Sequence, residues 1–288
     1  MFITNNSYKY LKEININLRN PKVIEFNNNN IIVIGSKIYN EIENKKKYLL
    51  YSYLLNENFN IIENSENILN FKNIIYDYKD NINISCWVRD IYNNENSYYL
   101  LVEFKINNDN KFFKSKHYLL NTNNFINFEI IKEYDIEDLF FKDLNNKFFT
   151  AKIENTNHIW GKYLFNFIID NKEIQPKFDN IIDYNKDYGH VMHNLEYIEE
   201  YNLYYTIISI RHYSDKEENN FYYKIYEAYS KDLINYFNTK EIQLEISNNS
   251  KWCCYPWKFN FNNNVYIICN QDDYGKNKYP IIFYKENI

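Results

Sequence analysis

The sequence predicts an all-β chain folded as a five-bladed β-propeller, with the last blade completed by the N-terminal strand. Three observations predict it. Short apolar segments rich in Ile, Val, Tyr and Phe alternate with asparagine-rich breaks, and helical periodicity is hard to find. A strand–turn–strand unit recurs five times along the 288 residues. A second, outer segment recurs behind several of those units, giving a repeat of four-strand size.

The first unit runs from Asn20-Pro21-Lys22-Val23 through the run Asn27 to Asn30 into Ile31-Ile32-Val33. The second runs from Ser85-Cys86-Trp87-Val88-Arg89-Asp90 through Asn93-Asn94 to Tyr98-Tyr99-Leu100, and the third from Glu137-Asp138-Leu139 through Asn145-Asn146 to Phe148-Phe149. In the fourth, His193-Asn194-Leu195-Glu196-Tyr197 leads through a Glu-Glu-Tyr-Asn turn into Tyr204-Tyr205-Thr206. In the fifth, Cys254-Tyr255-Pro256-Trp257 leads through Asn262 to Asn264 into Val265-Tyr266. Successive apolar doublets lie 50 to 67 residues apart, so one domain spanning residues 1–288 accounts for the whole chain. The chain has only four glycines, and asparagine tolerates positive φ better than other non-glycine residues, so the Asn clusters serve as hairpin turns.

The outer segment is clearest in Ser230-Lys231-Asp232-Leu233-Ile234-Asn235-Tyr236 and Thr122-Asn123-Asn124-Phe125-Ile126-Asn127-Phe128. Leu55-Asn56-Glu57-Asn58-Phe59 is a looser match, and Lys177-Phe178-Asp179-Asn180-Ile181, assigned to the third unit, is looser still. The fifth unit ends at Pro280-Ile281-Ile282-Phe283-Tyr284 without such a segment. Ser7 to Ile14 is the strand expected to supply it, closing the ring and covering a sheet edge.

Composition narrows the function. Asparagine, at 53 residues, supplies much of the polarity, and the net charge is -5. Arginine occurs only at positions 19, 89 and 211, which argues against a nucleic-acid partner, since phosphate binding needs clustered cations. No apolar stretch approaches the roughly 18 residues of a membrane span. The N-terminus carries no secretory signal pattern, so a cytoplasmic location is expected. Cys86, Cys253, Cys254 and Cys269 read as reduced thiols with no metal, and no Gly-rich phosphate loop, nucleophile elbow or zinc spacing appears, so no cofactor is expected.

The repeat resembles the five-bladed propellers of carbohydrate-active enzymes, in particular glycoside hydrolase families 43, 32, 68 and 130. Arg19-Asn20-Pro21-Lys22-Val23 resembles their Arg-Asp-Pro motif with Asn for Asp. Glu137-Asp138-Leu139-Phe140 resembles Glu-Asp-Pro with Leu for Pro, and Ser230 to Tyr236 resembles their outer Ser-x-Asp-Leu-x-x-Trp strand. The resemblance implies a glycosyl substrate, hydrolysed or transferred at a funnel lined by the first strand of each blade.

Such chemistry needs a general acid and a base or nucleophile, about 5–5.5 Å apart for retention and about 6.5–9.5 Å for inversion. The blade-opening carboxylates Asp90, Asp138 (or Glu137, the register being open by one) and Glu196 are the catalytic candidates. Asn20 stands where the resemblance implies the base, and an amide accepts no proton at neutral pH. The alternative is therefore a glycan-binding or scaffolding propeller that has lost its base. Arg19 and Arg89 suit an anionic sugar or phosphate through their planar forks, or else pair with nearby acids. Trp87 and Trp257 stand where they could stack on a sugar or pack between blades. His190, His193, Arg211 and His212 are expected at one rim of the fourth unit, with the two histidines ahead of its first strand and Glu196 nearby. Together with Asn20 these residues form the predicted carbohydrate-binding set.

Overall fold

A computed structural model describes residues 7–27, 29–42, 45–71, 74, 84–94, 97–107, 113–134, 143–144, 147–148, 151–153, 165–169, 172–174, 176–180, 190–213, 221–245, 253–271 and 279–287. Its regular elements are strands, apart from one short 3-10 turn at Glu199–Tyr201. In chain order the strands are β1 (Ser7–Ile14), β2 (Arg19–Asn27), β3 (Asn30–Ile42), β4 (Lys45–Asn56), β5 (Asn67–Ile68), β6 (Ile84–Asn94), β7 (Ser97–Asn107), β8 (Phe113–Thr122) and β9 (Glu129–Tyr134). Then come β10 (Asp143–Leu144), β11 (Lys147–Phe148), β12 (Ala151–Ile153), β13 (Phe165–Ile169), β14 (Lys172–Ile174) and β15 (Lys177–Phe178). The last are β16 (His190–Ile198), β17 (Leu203–Tyr213), β18 (Phe221–Ser230), β19 (Asn235–Glu241), β20 (Gln243–Leu244), β21 (Cys253–Phe261), β22 (Asn264–Gln271) and β23 (Ile281–Glu286). No helix among the described residues is long and apolar enough to cross a membrane.

The chain divides into two compact units, residues 16–138 and residues 1–15 with 139–288. The first holds two antiparallel four-stranded blades, β2-β3-β4-β5 and β6-β7-β8-β9. Aromatic packing joins them. Tyr98 lies 4.8 Å from Phe125 and 5.7 Å from Phe26, and its hydroxyl donates to the Phe26 carbonyl at 2.9 Å.

The second unit holds two full blades, β16-β17-β18-β19 with β15 outside it, and β21-β22-β23-β1 with β20 outside it. The third repeat is represented by the pair β10-β11 and the three-stranded sheet β12-β13-β14. As the repeat required, β1 completes the last blade, running antiparallel to β23 from Tyr8↔Glu286 to Ile14↔Ile281. Tyr8, Tyr205, Ile207, Ile225, Tyr229, Ile267, Cys269, Ile282 and Tyr284 form a buried core between the two sheets.

Asparagine does the work of glycine in the turns. It supplies eight of the twelve non-glycine residues with positive φ among those described. Asn262 and Asn263 (φ 47° and 57°) form the two-residue β21–β22 hairpin that an Asn pair predicts, since both central positions of such a turn need positive φ. Asn202 (φ 50°) closes the 3-10 turn between β16 and β17. Asn145 and Asn146 lie outside the described residues.

The outer repeat is a recurrent turn. Thr122 Oγ1 accepts the N–H groups of Asn124 and Phe125, and Asn124 Oδ1 accepts those of Ile126 and Asn127. Ser230 and Asp232 repeat this with Asp232, Leu233, Ile234 and Asn235. Asn56 Oδ1 bonds Asn58 and Asn60 in the first blade. Phe59, Phe125 and Leu233 then take φ of 56°, 55° and 65° and are buried in the blade. Burying each apolar side chain, worth about 1.5–3 kcal/mol, outweighs the roughly 1–2 kcal/mol cost of that backbone.

Lys177-Phe178-Asp179 does not follow the pattern expected of it. It pairs in parallel with β19 of the fourth blade, Phe178 stacking on Tyr236 at 4.7 Å, so it is an outer strand of the next blade and not of the third. Its Asp179 accepts hydrogen bonds from the backbone N–H groups of Asn238 and Thr239, which explains the acid at that position without the recurrent turn.

Candidate functional site

Four blade-opening strands break register at the same place, and β2 does so a second time between Glu25 and Asn27. β2 passes over Asn20 and Pro21 between the pairs Arg19↔Ser36 and Lys22↔Ile34, and β6 passes over Arg89. β16 passes over His193, and β21 over Tyr255 and Pro256. Such bulges kink a strand and re-aim its side chains, and they concentrate beside functional sites. Asn20 and Tyr255 have φ of 50° and 54°, costly for a ring as large as tyrosine's. Gly35 makes room at the first bulge: a Cβ there would lie 2.9 Å from Leu18 Cβ and 3.0 Å from the Arg19 carbonyl.

The first residue to regain register is buried in all four strands: Lys22, Asp90, Asn194 and Trp257 are 2%, 5%, 2% and 4% exposed. Three polar side chains at a position this dry set the inner strands apart from the alternating apolar pattern around them.

In the unit of residues 16–138, Arg19, Asn20, Trp87, Arg89 and Asp90 come from the opening strands of adjacent blades. The Asn20 amide donates to the Val88 carbonyl at 3.1 Å, and Ser36 Oγ donates to the Cys86 carbonyl at 2.9 Å. The Arg19 guanidinium lies 5.5 Å from the Tyr48 ring and 5.6 Å from the Trp87 ring, and donates to the Tyr48 hydroxyl at 3.0 Å. Tyr48 and Trp87 are themselves 5.0 Å apart, and all three side chains are half-buried. A guanidinium this close to two ring faces is attracted by their π electrons. Arg89 is bonded to the buried Glu103, whose other oxygen lies 3.5 Å from Lys105 Nζ. Asp90 Oδ1 accepts the Ile91 N–H at 2.9 Å.

In the other unit, Asn194 Oδ1 accepts the Lys258 N–H at 3.1 Å, so an asparagine again stitches one opening strand to the next. Lys258 Nζ lies 3.6 Å from Glu227 and 4.5 Å from the centre of the Tyr205 ring, and the Tyr205 hydroxyl donates to Glu227 at 3.2 Å. Trp257, the residue preceding Lys258 on β21, is buried. The opening strand of this blade begins at His190, so His190 and His193 lie within it and not ahead of it. His190 stands opposite Ile210, which places Arg211 and His212 next along β17 at the same end of the hairpin. Glu196 is exposed, opposite Tyr205. Asp138 and Glu137 lie outside the described residues.

Sequence reasoning did not single out Lys22, Tyr48, Glu103 or Asn194 as site residues. Asn194 was nonetheless within reach. Asp90 precedes its doublet Tyr98-Tyr99 by eight residues and Trp257 precedes Val265-Tyr266 by eight, as Glu196 precedes Tyr204-Tyr205. The loop between the paired residues Ile198 and Leu203 is two residues longer than that between Asn94 and Ser97. That difference moves the equivalent of Asp90 from Glu196 back to Asn194.

The sequence matches no protein-family model and no curated protein. Solved structures are similar to it in fold. A glycosyl hydrolase from Bacteroides ovatus matches with a TM-score of 0.58 at 10% identity, over 96% of this chain and 85% of that chain. An exo-1,5-α-L-arabinanase from a bovine ruminal metagenomic library matches with a TM-score of 0.51 at 12% identity, over 94% and 93%. A family 43 endo-arabinanase from Bacillus licheniformis matches with a TM-score of 0.50 at 13% identity, over 93% of each. At such identities the likeness is one of fold alone: a β-propeller arrangement of sheets, with the fifth blade formed by the N- and C-terminal strands.

Proposed function

We propose that this chain is a carbohydrate-recognising propeller of the glycosidase type, with a glycosyl unit as its ligand. The observation that supports this most is the aromatic and guanidinium surface made by Arg19, Tyr48 and Trp87 in the opening strands of adjacent blades. Aromatic faces stack on the apolar face of a sugar ring, while a guanidinium binds carboxylate or phosphate through paired hydrogen bonds. An anionic sugar suits that combination.

Catalysis is the further step. Asp90 is the candidate carboxylate held at an inner-strand bulge, where a second carboxylate across the glycosidic bond would complete the acid–base pair. Hydrolysis or transfer then rests on Asp90, with Asp138 as the sequence's candidate for the second carboxylate. Asn20 favours the other reading, binding without turnover, because its amide cannot serve as a base and is engaged with Val88.

A panel of aryl glycosides and sugar phosphates, assayed alongside glycan binding, separates the two. Turnover that Asp90→Asn abolishes supports the enzyme. Binding without turnover, weakened by Trp87→Ala, supports the recognition module. Neither turnover nor binding across the panel removes the carbohydrate reading.

A further inference from the structure

We propose that Cys253 is a site of reversible oxidation by peroxide, with Cys269 on the neighbouring strand as the thiol that resolves it into a disulfide. The two cysteines and Tyr284 lie along one diagonal of the last blade. Cys253 stands opposite Gln271, two positions from Cys269, while Cys269 stands opposite Ile282 and Tyr284 opposite Ile267. Because strand side chains alternate between faces, Cys253, Cys269 and Tyr284 share one face of β21, β22 and β23. One contact agrees: Cys253 Sγ lies 3.2 Å from the Tyr284 hydroxyl.

The two thiols differ in access and in basicity. Cys253 is half-buried, whereas Cys86, Cys254 and Cys269 are buried. The hydrogen bond from Cys269, aided by the Tyr284 hydroxyl, holds the Cys253 thiol below its ordinary value against the effect of burial. Burial and the neighbouring sulfur push the Cys269 thiol up. The thiolate is the reactive form, so Cys253 attacks and Cys269 waits protonated beside it.

The chemistry balances with hydrogen peroxide as the oxidant. The Cys253 thiolate attacks one peroxide oxygen; the O–O bond breaks, leaving a sulfenic acid and hydroxide, which is protonated to water. Cys269 then attacks the sulfenic sulfur as it gives up its proton. The S–S bond forms, the S–O bond breaks and a second water departs. Two thiols have been oxidised and one peroxide reduced. Bridging diagonal neighbours requires the two strands to draw together locally. Cys269 and Tyr284 belong to the core between the fourth and fifth sheets, so the modification reports directly on that packing.

The test uses the full-length protein, differential alkylation and mass spectrometry, with buried Cys86 and Cys254 as internal references. Iodoacetamide should label Cys253 at least about tenfold faster than either reference, as thiolate character and access require. Peroxide should link Cys253 to Cys269 in a bond that dithiothreitol reverses. In Cys269→Ser, and in Cys269→Ala, Cys253 should instead be trapped by dimedone as the sulfenic acid. Labelling of Cys253 no faster than Cys86 would overturn the proposal, as would peroxide carrying wild-type Cys253 to sulfinic acid without a link to Cys269.

Discussion

The Asn20 side-chain amide donates a hydrogen bond to the Val88 main-chain carbonyl at 3.1 Å, joining the opening strands of the first two blades at their bulges. Asn194, two positions further along its strand, accepts from the Lys258 N–H between the fourth and fifth. The amide that stands where a glycosidase of the resembling families would carry its base therefore has a structural task. Replacing it tests that task. Asn20→Asp sets a buried carboxylate against a carbonyl, leaving an acceptor facing an acceptor, at a cost of about 1–3 kcal/mol. The introduced acid, destabilised in its charged form, has a raised folded pKa. Its protonated form can donate to Val88, so the deficit should be small below the unfolded pKa of about 3.9 and should grow as pH rises through the folded value. Urea titrations of both proteins at pH 4 and pH 7 measure it; an equal deficit at both would contradict the argument.

The N-terminal strand should matter out of proportion to its length. Deleting residues 1–14 removes β1, uncovers the β23 edge and withdraws Tyr8, which is 1% exposed. Losing that side chain and Ile14 from the core costs at least about 3 kcal/mol. For a unit of this size the melting temperature should fall by roughly 6–12 °C. Unchanged melting would mean that the last sheet is stable without its closing strand.

The Ser230–Asp232 turn gives a pH signature. Burial works to raise the Asp232 carboxyl, but hydrogen bonds from Asn235, Ile234 and Ser230 prevail and bring it down to about 2. A depressed folded pKa means that the turn's contribution is present above the unfolded value of about 3.9 and is lost as pH falls through about 2. Asn124 performs the same role in the second blade as an amide. Asp232→Asn should therefore preserve stability at pH 7 and flatten its fall below pH 4, whereas Asp232→Ala should cost about 1 kcal/mol at pH 7. Chemical denaturation at pH 7 and pH 3 reads both effects.

The hairpin turns offer a control for the asparagine argument. Asn263 has φ of 57° in a two-residue turn. Asn263→Gly should be neutral or stabilising by up to about 1 kcal/mol, since glycine meets no Cβ penalty there, while Asn263→Val should destabilise by about 1–2 kcal/mol. Thermal melts of the two variants decide it; a valine variant as stable as wild type would contradict the turn assignment.

What the sequence made legible was local and repeated. Asn262-Asn263, the Ser230–Leu233 turn and the closing strand Ser7–Ile14 each depend on a few neighbouring residues whose chemistry has one good backbone solution. The inner strands were harder to read, because a bulge adds one or two residues whose number no local preference announces. Hairpin length is a further difficulty at Glu196: a loop two residues longer leaves Asn194 at the position of Asp90. Lys177-Phe178-Asp179 illustrates another difficulty. Its polar turn-like pattern is satisfied by a parallel pairing with Asn235 and Tyr236, more than fifty residues away, which sequence spacing cannot reveal. Tyr48 was invisible for a similar reason, since only the approach of β4 and β6 brings it onto Trp87.

Arg19 separates a charged ligand from a neutral one. Its guanidinium rests against Tyr48 and Trp87 and donates to the Tyr48 hydroxyl, so it is pre-positioned beside an aromatic surface. A sugar carboxylate meeting that guanidinium gains a charge-assisted contact of about 1.5–3 kcal/mol, whereas a neutral sugar stacking on the rings does not depend on it. Arg19→Ala should therefore weaken binding of a uronate-bearing oligosaccharide about tenfold to a hundredfold. Binding of its neutral counterpart should change by no more than about threefold, because the stacking faces remain. Trp87→Ala should weaken both. Titration of each variant with matched neutral and acidic oligosaccharides, at low and at physiological salt, provides the comparison. The uronate preference should shrink as salt rises, since these side chains are only half-buried and their charge is screened. If Arg19→Ala lowers affinity for both sugars equally, the arginine supports the aromatic pair and does not select an anion. If it changes neither, the ligand lies elsewhere on the propeller.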